Sequence, residues 1–300
     1  MVGDKKIVIP DIIKSMRPQQ WLKNTFVFAA LVFSRQYMDG EKVLISLAVF
    51  VIFSLLSGSV YLVNDVVDRE EDRKHSTKSG RPIAAGRLSP SIALSAAVIL
   101  ALLALAGAFF IEPVLGVISL GYLLLITAYS LVLKRVLIVD VLVIAFGFIL
   151  RVLAGGVAIE VPISEWLFIC TFLLALFLAL SKRRHELVLL EGEVSGHRKT
   201  LSEYSATLLD QMIAVVTSST VMAYSLYTLA PRTQIEVSPR LYYSIPFVIY
   251  GIFRYLYLIH RKATGGEPGR TLFSDRPLLV DVLLWILAII LILRFYPPAG

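Results

Sequence analysis

Asn64, Asp68 and Asp72 are spaced four residues apart, so on an α-helix all three share one face, drifting by about 40° per step. An amide and two carboxylates stacked this way form a hard-oxygen site suited to Mg2+. That ion takes a few protein oxygens and completes its shell with water and phosphate oxygens. Without a cation, carboxylates one turn apart repel each other. Asp65 and Glu71 are expected to point to other faces. Basic residues follow at once, Lys78 and Arg81 with His75 nearby, in "HSTKSGRPIAAG" (75–86). Gly80 and Pro82 break the helix, so Arg81 is expected to turn back over the acidic stack. A divalent cation beside Lys and Arg holds a diphosphate well, because the metal bridges oxygens while the cations neutralise leaving-group charge. The plain alternative is a solvated helix end with charges of both signs. It is disfavoured because Asn64 ends a long apolar run and the bases crowd in directly after the acids. Neither a P-loop nor a G-x-G-x-x-G pattern is present, which argues against a soluble nucleotide-binding fold.

Other charged residues stand where chemistry or anchoring must explain them. Arg151 lies mid-way along an apolar run, between "GFIL" and "VLAGG". A charge there is costly and marks a ligand or an internal partner. Arg254 follows the same logic nearer the end of its run. Lys182, Arg183 and Arg184 are consecutive, so at least one must face water or lipid headgroups. Glu186 is either a contact in a second polar cluster or the i+4 partner of Lys182. Lys23 and Lys134, at the ends of apolar runs, read equally well as topology signals with snorkelling stems. Gly155 and Gly156 suit close helix packing.

The elements that position these residues are membrane helices. The chain has 300 residues, 57% of them hydrophobic, with only 17% charged, well below the quarter or so usual in soluble domains. Mean hydropathy is +0.77. The apolar runs are long enough to cross a hydrocarbon core of about 30 Å. Nine spans are expected, near 21–37, 42–64, 90–110, 113–133, 138–158, 164–182, 207–230, 240–260 and 277–296. The first lacks a small-residue cleavage site and is not read as a removable signal. The fold class is therefore all-α: a polytopic membrane protein, one bundle over 1–300 with a cytoplasmic cap from the connections at about 65–88, 183–206 and 261–276. The first two of these connections are expected to continue a helix past the membrane. The third, with "TGGEPGR" (264–270), is expected to be a flexible turn without such a helix.

Lys and Arg fall heavily on alternate connections: before span 1, then 2–3, 4–5, 6–7 and 8–9. By the positive-inside rule the N-terminus and the cap are cytoplasmic, in the inner or plasma membrane, and the C-terminus is outside. The net charge of +7 is explained by that orientation and by anionic lipid, so no nucleic-acid partner is implied. Cys170 is the single cysteine, which excludes an intramolecular disulfide and a cysteine metal cluster.

The Asn64, Asp65, Asp68, Asp72 pattern resembles the N-D-x-x-D-x-x-x-D helix end of the UbiA superfamily of intramembrane prenyltransferases, and the likeness covers nearly the whole chain. The resemblance implies a nine-helix bundle, Mg2+ dependence, and polar clusters for a diphosphate in the 2–3 and 6–7 connections. Family members commonly carry a second aspartate-rich motif in the 6–7 connection. Here the sequence reads "SKRRHELVLLEGE", with no Asp between Asp140 and Asp210. One branch is more similar, the decaprenyl-phosphate phosphoribosyltransferases. Its features stand here as "MRPQQWLKN" (16–24), "YLVNDVVDREEDRKHSTKSGRPIAAG" (61–86), "YSLVLKRVLIVDVLVIAFGFILRVLAGG" (129–156), "KRRHEL" (182–187) and "HRKTLSEYS" (197–205).

What this resemblance implies is a donor site for phosphoribosyl diphosphate, lined by Lys23, Tyr61, Lys78, Lys134, Arg151 and Arg183, with Asn64 and Asp68 on Mg2+. The donor carries an extra phosphate, so more cations and fewer carboxylates are expected, and Lys182 and Arg81 add to that set. The implied reaction moves 5-phosphoribosyl onto a polyprenyl phosphate, in the synthesis of an arabinose-donor lipid of the cell envelope. Asp68, Asp72, Lys78 and Arg81 would serve the chemistry, and an anionic acceptor needs no Ser, Cys or His nucleophile. Two alternatives remain open: a polyprenyltransferase acting on an aromatic or quinone precursor, and, from another class, a membrane transporter. The missing second aspartate motif argues against the first. The lack of repeats with broken mid-membrane helices argues against the second.

Overall fold

In a computed structural model of the chain, residues 8–74, 78–190, 203–261 and 268–297 are described. His75, much of "HRKTLSEYS" and residues 264–267 lie outside them. The described residues form α-helices and short 3-10 turns, with no strand among them. The helices are α1 (Val8–Ser15), α2 (Ala29–Phe33), α3 (Gly40–Val67), α4 (Arg69–Lys74), α5 (Pro90–Ile111), α6 (Pro113–Leu131), α7 (Val139–Ala158), α8 (Glu165–Leu190), α9 (Ala206–Leu229), α10 (Pro231–Glu236), α11 (Ile245–Arg261), α12 (Pro268–Ser274) and α13 (Arg276–Phe295).

Their starts follow local chemistry. Asp39 caps α3 by accepting from the Glu41 and Lys42 amides at 3.0 and 3.3 Å. Ser89 caps α5, with Pro90 next, and Ser205 caps α9. Each satisfies amides that the first turn leaves unpaired.

Eight described helices are long and apolar enough to cross a membrane, counting Leu241–Arg261 as one. They match the expected spans two to nine. The expected first span, 21–37, differs from a continuous α-helix. It runs as a 3-10 stretch (Pro18–Phe28), then α2, then a 3-10 turn (Gln36–Met38). Side-chain demands explain the break. Asn24 is fully buried and reaches the Ser54 hydroxyl at 3.0 Å, while the Thr25 hydroxyl bonds back to the Leu22 carbonyl. Such bonds compete with a regular helix. The segment also lies against α7 so closely that a Cβ on Gly155 would sit 1.9 Å from the Val27 carbonyl oxygen. The third connection differs too. It carries the short helix α12 directly after the glycines, because Pro268 has the φ of a first helical residue and gives up only an amide that would be unpaired anyway.

The chain divides into two compact units. The first comprises Met1–Val32, Gln36–Leu131 and Leu150–Pro162; the second comprises Phe33–Arg35, Val132–Ile149 and Ile163–Gly300. The division falls within α7. The first unit is built around Phe53, Leu56, Leu115 and Tyr122, with a second core of Met16, Leu62, Ile83 and Leu88 beneath the 80–88 loop. The second unit is built around Phe177, Leu180, Leu209, Ile213 and Leu258. Val98, Ile99, Leu102 and Leu103 are exposed on α5, as expected of an apolar helix long enough to cross a membrane.

Candidate active site

In the first unit the last turn of α3 carries Tyr61, Asn64 and Asp65. The helix then bends at Asp68, whose φ and ψ of −85° and 7° leave the helical range. The backbone ladder nevertheless runs through the bend, from Asp68 N to Asn64 O and from Asp72 N to Asp68 O, both at 2.8 Å. Asp72 is therefore held in place by α4, and its carboxylate is buried.

Arg81 reaches this carboxylate from the following loop. Ile83 and Leu88 are sunk into the core, and Arg73 Nε bonds the Ala84 carbonyl at 3.1 Å. Gly86 takes φ 71°, a left-handed turn open to glycine at no cost. These anchors bring Arg81 Nη1 to 2.5 Å from Asp72 Oδ2 and 3.3 Å from Asp65 Oδ1.

The expected orientation of Asp65 is thereby corrected. It belongs to the cluster, with 2% exposure, and also pairs with Arg17, whose guanidinium lies 4.8 Å from the centre of the Tyr61 ring. The reason is periodicity. Asp65 and Asp72 are seven residues apart, almost two full turns, and so share a face as well as any i+4 pair. Glu71 is exposed, as its position implies.

Asn64 and Asp68 are placed differently. Asn64 donates from Nδ2 to the Ser130 hydroxyl at 3.0 Å, so its Oδ1 is the atom available to a cation. Asp68 is half-buried, and among the described residues its carboxylate has no hydrogen-bond or ion-pair partner. Lys78 is exposed at the head of the Lys78–Gly80 turn and has no ion pair among them. No three His, Cys, Asp or Glu side chains converge as metal ligands among the described residues. The available set is thus one amide oxygen and one carboxylate, one turn apart. That set fits an ion such as Mg2+, which keeps several waters or phosphate oxygens, and would not cage a cation alone.

Lower in the same unit, Arg151 is buried with internal partners. Nε donates to Asn24 Oδ1 at 2.7 Å and Nη2 to the Tyr122 hydroxyl at 2.6 Å, while the guanidinium also lies 4.7 Å from the Tyr122 ring centre. Asn24 and Tyr122 are polar positions that sequence reasoning missed. A buried mid-span Arg signals that such partners exist, but not where along the chain they lie.

The second unit holds another cluster. Arg183 is 4% exposed; its Nε bonds Asp140 Oδ2 at 2.7 Å and its Nη1 pairs with Glu186. Lys182 lies 3.9 Å from Glu186 and is the member of the basic triplet that reaches solvent. The Tyr204 hydroxyl donates to Asp140 Oδ1 at 2.9 Å and accepts from the Ile138 amide at 3.0 Å. Burial first, and then the Asp140 charge, push the Tyr204 phenol above its ordinary range, so it stays protonated. Arg184 pairs with Asp210, which also faces His260 Nε2 at 3.2 Å. Arg254 forms a two-pronged pair with Asp275 at 2.9 and 2.8 Å. Lys134 is half-buried on the 3-10 turn Leu133–Arg135. Asp140, read in the sequence only as the edge of an aspartate-free stretch, proves central, because the first turn of α7 turns it toward α8.

Residues 25–274 match the model of the UbiA prenyltransferase family. The chain belongs to that family. It is 36% identical over 285 residues to the decaprenyl-phosphate phosphoribosyltransferase of Mycobacterium tuberculosis, covering 93% of each chain. It is 33% identical over 296 residues to the protein of the same name from Corynebacterium glutamicum, covering 95% of this chain and 87% of that one. Among solved structures, a UbiA homolog from Archaeoglobus fulgidus bound to GPP and Mg2+ superposes with a TM-score of 0.71 at 19% identity, over 95% of this chain and 99% of that one. That likeness establishes the shared fold. Within this UbiA protein, the carboxylates that face Arg183 are Asp140 of α7 and Glu186 of α8.

Proposed function

We propose that the protein transfers a 5-phosphoribosyl group from phosphoribosyl diphosphate to a polyprenyl phosphate and releases diphosphate. The observation that carries this reading is the 33–36% identity over 93–95% of the chain to proteins named decaprenyl-phosphate phosphoribosyltransferase. The second unit's cluster supports it. Arg183 sits between Asp140 and Glu186, so the carboxylates there are engaged by a guanidinium instead of standing ready for a second metal.

In this reading Asn64 and Asp68 hold Mg2+, with Asp72 beside them. The metal supplies charge neutralisation for the diphosphate when bound. Arg81, poised on Asp72 and Asp65, is positioned to shift its fork to phosphate oxygens, and exposed Lys78 adds a point charge. Lys23, Tyr61, Lys134, Lys182 and Arg183 are assigned to the donor's phosphates and hydroxyls, and Glu186 sets Lys182 and Arg183. Arg151 contributes through its bonds to Asn24 and Tyr122. The bond between ribose C1 and the diphosphate oxygen breaks, its electron pair leaving on diphosphate. An oxygen of the acceptor phosphate forms the new bond to C1. That oxygen is already anionic, so no proton need be removed and no general base is required. Cations aimed at the departing diphosphate stabilise the charge that develops there. The acceptor's tail occupies the lipid phase, with the reaction at the cytoplasmic face in the synthesis of a cell-envelope arabinose-donor lipid.

The test uses membranes containing the protein, radiolabelled phosphoribosyl diphosphate, polyprenyl phosphate and Mg2+. Mg2+-dependent label in the lipid phase is expected, and its loss in Asp68→Ala and Lys78→Ala with insertion intact. Absence of lipid label from the wild type would overturn the reading. Label from a prenyl diphosphate on an aromatic acceptor would replace it with the polyprenyltransferase alternative.

A further inference from the structure

Ile138 takes φ 67°, in the left-handed region, where a β-branched residue is a genuine outlier. It is 42% exposed, so packing does not demand isoleucine's shape there. Outliers of this kind persist only where surrounding structure enforces them, and they gather at functional sites. Here the enforcing group is visible: the Ile138 amide donates to the Tyr204 hydroxyl at 3.0 Å. The same hydroxyl donates to Asp140 Oδ1 at 2.9 Å, and Asp140 Oδ2 accepts from Arg183 Nε at 2.7 Å. Tyr204 is itself buried, at 4% exposure, one residue before the cap of α9.

From this chain of bonds we propose that Tyr204 is a positioning residue: its hydroxyl latches the turn at 132–138 in its left-handed conformation and so sets the placement of Lys134. The inference deepens the reading of Lys134 and Arg183 as phosphate-binding residues and rests on it. Geometry favours a latch over simple packing, because the hydroxyl meets both a backbone amide and a carboxylate. The ring alone would fill the same space. With its phenol held protonated, Tyr204 can donate to Asp140 and accept from Ile138 at once. Local backbone bonds also hold the turn: Arg135 N to Val132 O, Val136 N to Leu133 O and Asp140 N to Val136 O.

The test uses the full chain in nanodiscs. Tyr204→Phe removes the hydroxyl and keeps the ring. It is expected to raise KM for phosphoribosyl diphosphate about tenfold, the scale of one lost hydrogen bond, with kcat within about twofold. Amide exchange over 132–140 should speed up in parallel. Ile138→Asn, which enters the left-handed region readily, should restore KM in the Tyr204→Phe background to within about threefold of wild type. A merely structural role for the ring would not produce that rescue. Lys134→Ala serves as the reference. If it raises KM while Tyr204→Phe does not, the latch is overturned and the donor reading stands. If Lys134→Ala leaves KM unchanged, the donor reading of Lys134 fails, and exchange over 132–140 still decides the latch. An unaltered exchange rate in Tyr204→Phe overturns it. If Tyr204→Phe alone does not fold, recovery of folded protein in the double variant supports the latch, and failure to recover overturns it.

Discussion

The ion pair between Arg81 and Asp72 offers a quantitative test of how the acidic helix end is built. Asp72 is 3% exposed and the Arg81 side chain 26%, so the pair is mostly out of water, though not sealed. Opposite charges about 4 Å apart attract by about 4 kcal/mol at an effective dielectric of 20. Desolvation of Asp72 takes back much of that gain, which leaves an expected coupling of about 1–3 kcal/mol. Arg81→Ala strands the Asp72 carboxylate but not Asp65, which keeps Arg17. Its cost is therefore expected at the low end for a broken buried pair, about 3 kcal/mol. Asp72→Asn should cost a similar amount. The double variant should cost clearly less than the two singles together, because neither partner is left alone. Reversible unfolding in mixed micelles, with sodium dodecyl sulfate added stepwise to a mild detergent, reads all four proteins on one scale. Arg81→Lys belongs in the series: it keeps the charge and loses the fork that spans two carboxylates. If the single losses add to within about 0.5 kcal/mol of the double, the two residues do not interact. The account of Arg81 as a bridge held over the acids would then be wrong.

Three further outcomes follow from the same geometry. Gly155→Ala should cost at least the 1–3 kcal/mol typical of overpacking, because its Cβ would sit 1.9 Å from the Val27 carbonyl; thermal unfolding in detergent will show it. Asp275→Ala removes both the partner of Arg254 and the cap on the Leu278 amide at 3.1 Å. A loss of about 2–4 kcal/mol in the same unfolding assay is expected, well above the 1 kcal/mol or so of a cap alone. The phenol of Tyr204 titrates above the ordinary value near 10, so its contribution is complete below that pH and fades as pH rises through the folded value. The stability gap between wild type and Tyr204→Phe should therefore be level from pH 7 to 9 and narrow above about 10.

Sequence and structure part company where a partner lies far along the chain. Apolar run length sufficed to locate eight spanning helices, since hydrophobic thickness leaves few other solutions. The first run, 21–37, is not one continuous α-helix, because hydropathy sees its apolar side chains but not the backbone's approach to Gly155 or the demands of buried Asn24. The i+4 spacing of Asn64, Asp68 and Asp72 is local information, but their side chains divide: Asp72 turns to Arg81, whereas Asn64 bonds Ser130. Asp65 was equally readable at i+7 from Asp72, and its omission was an error of periodicity and not of missing data. Asp140 and Tyr204 were beyond such reading. They are 64 residues apart, and only the packing of α7 and α8 with the start of α9 makes one the partner of the other.

In the first unit Asp65 and Asp72, almost two turns apart, share Arg81, and Asp65 also pairs with Arg17, while among the described residues Asp68 pairs with neither arginine. In the second, Arg183 and Asp140 are buried together, and carboxylates from α7 and α8 flank the guanidinium. One cluster is thus arranged around oxygen donors and the other around a guanidinium.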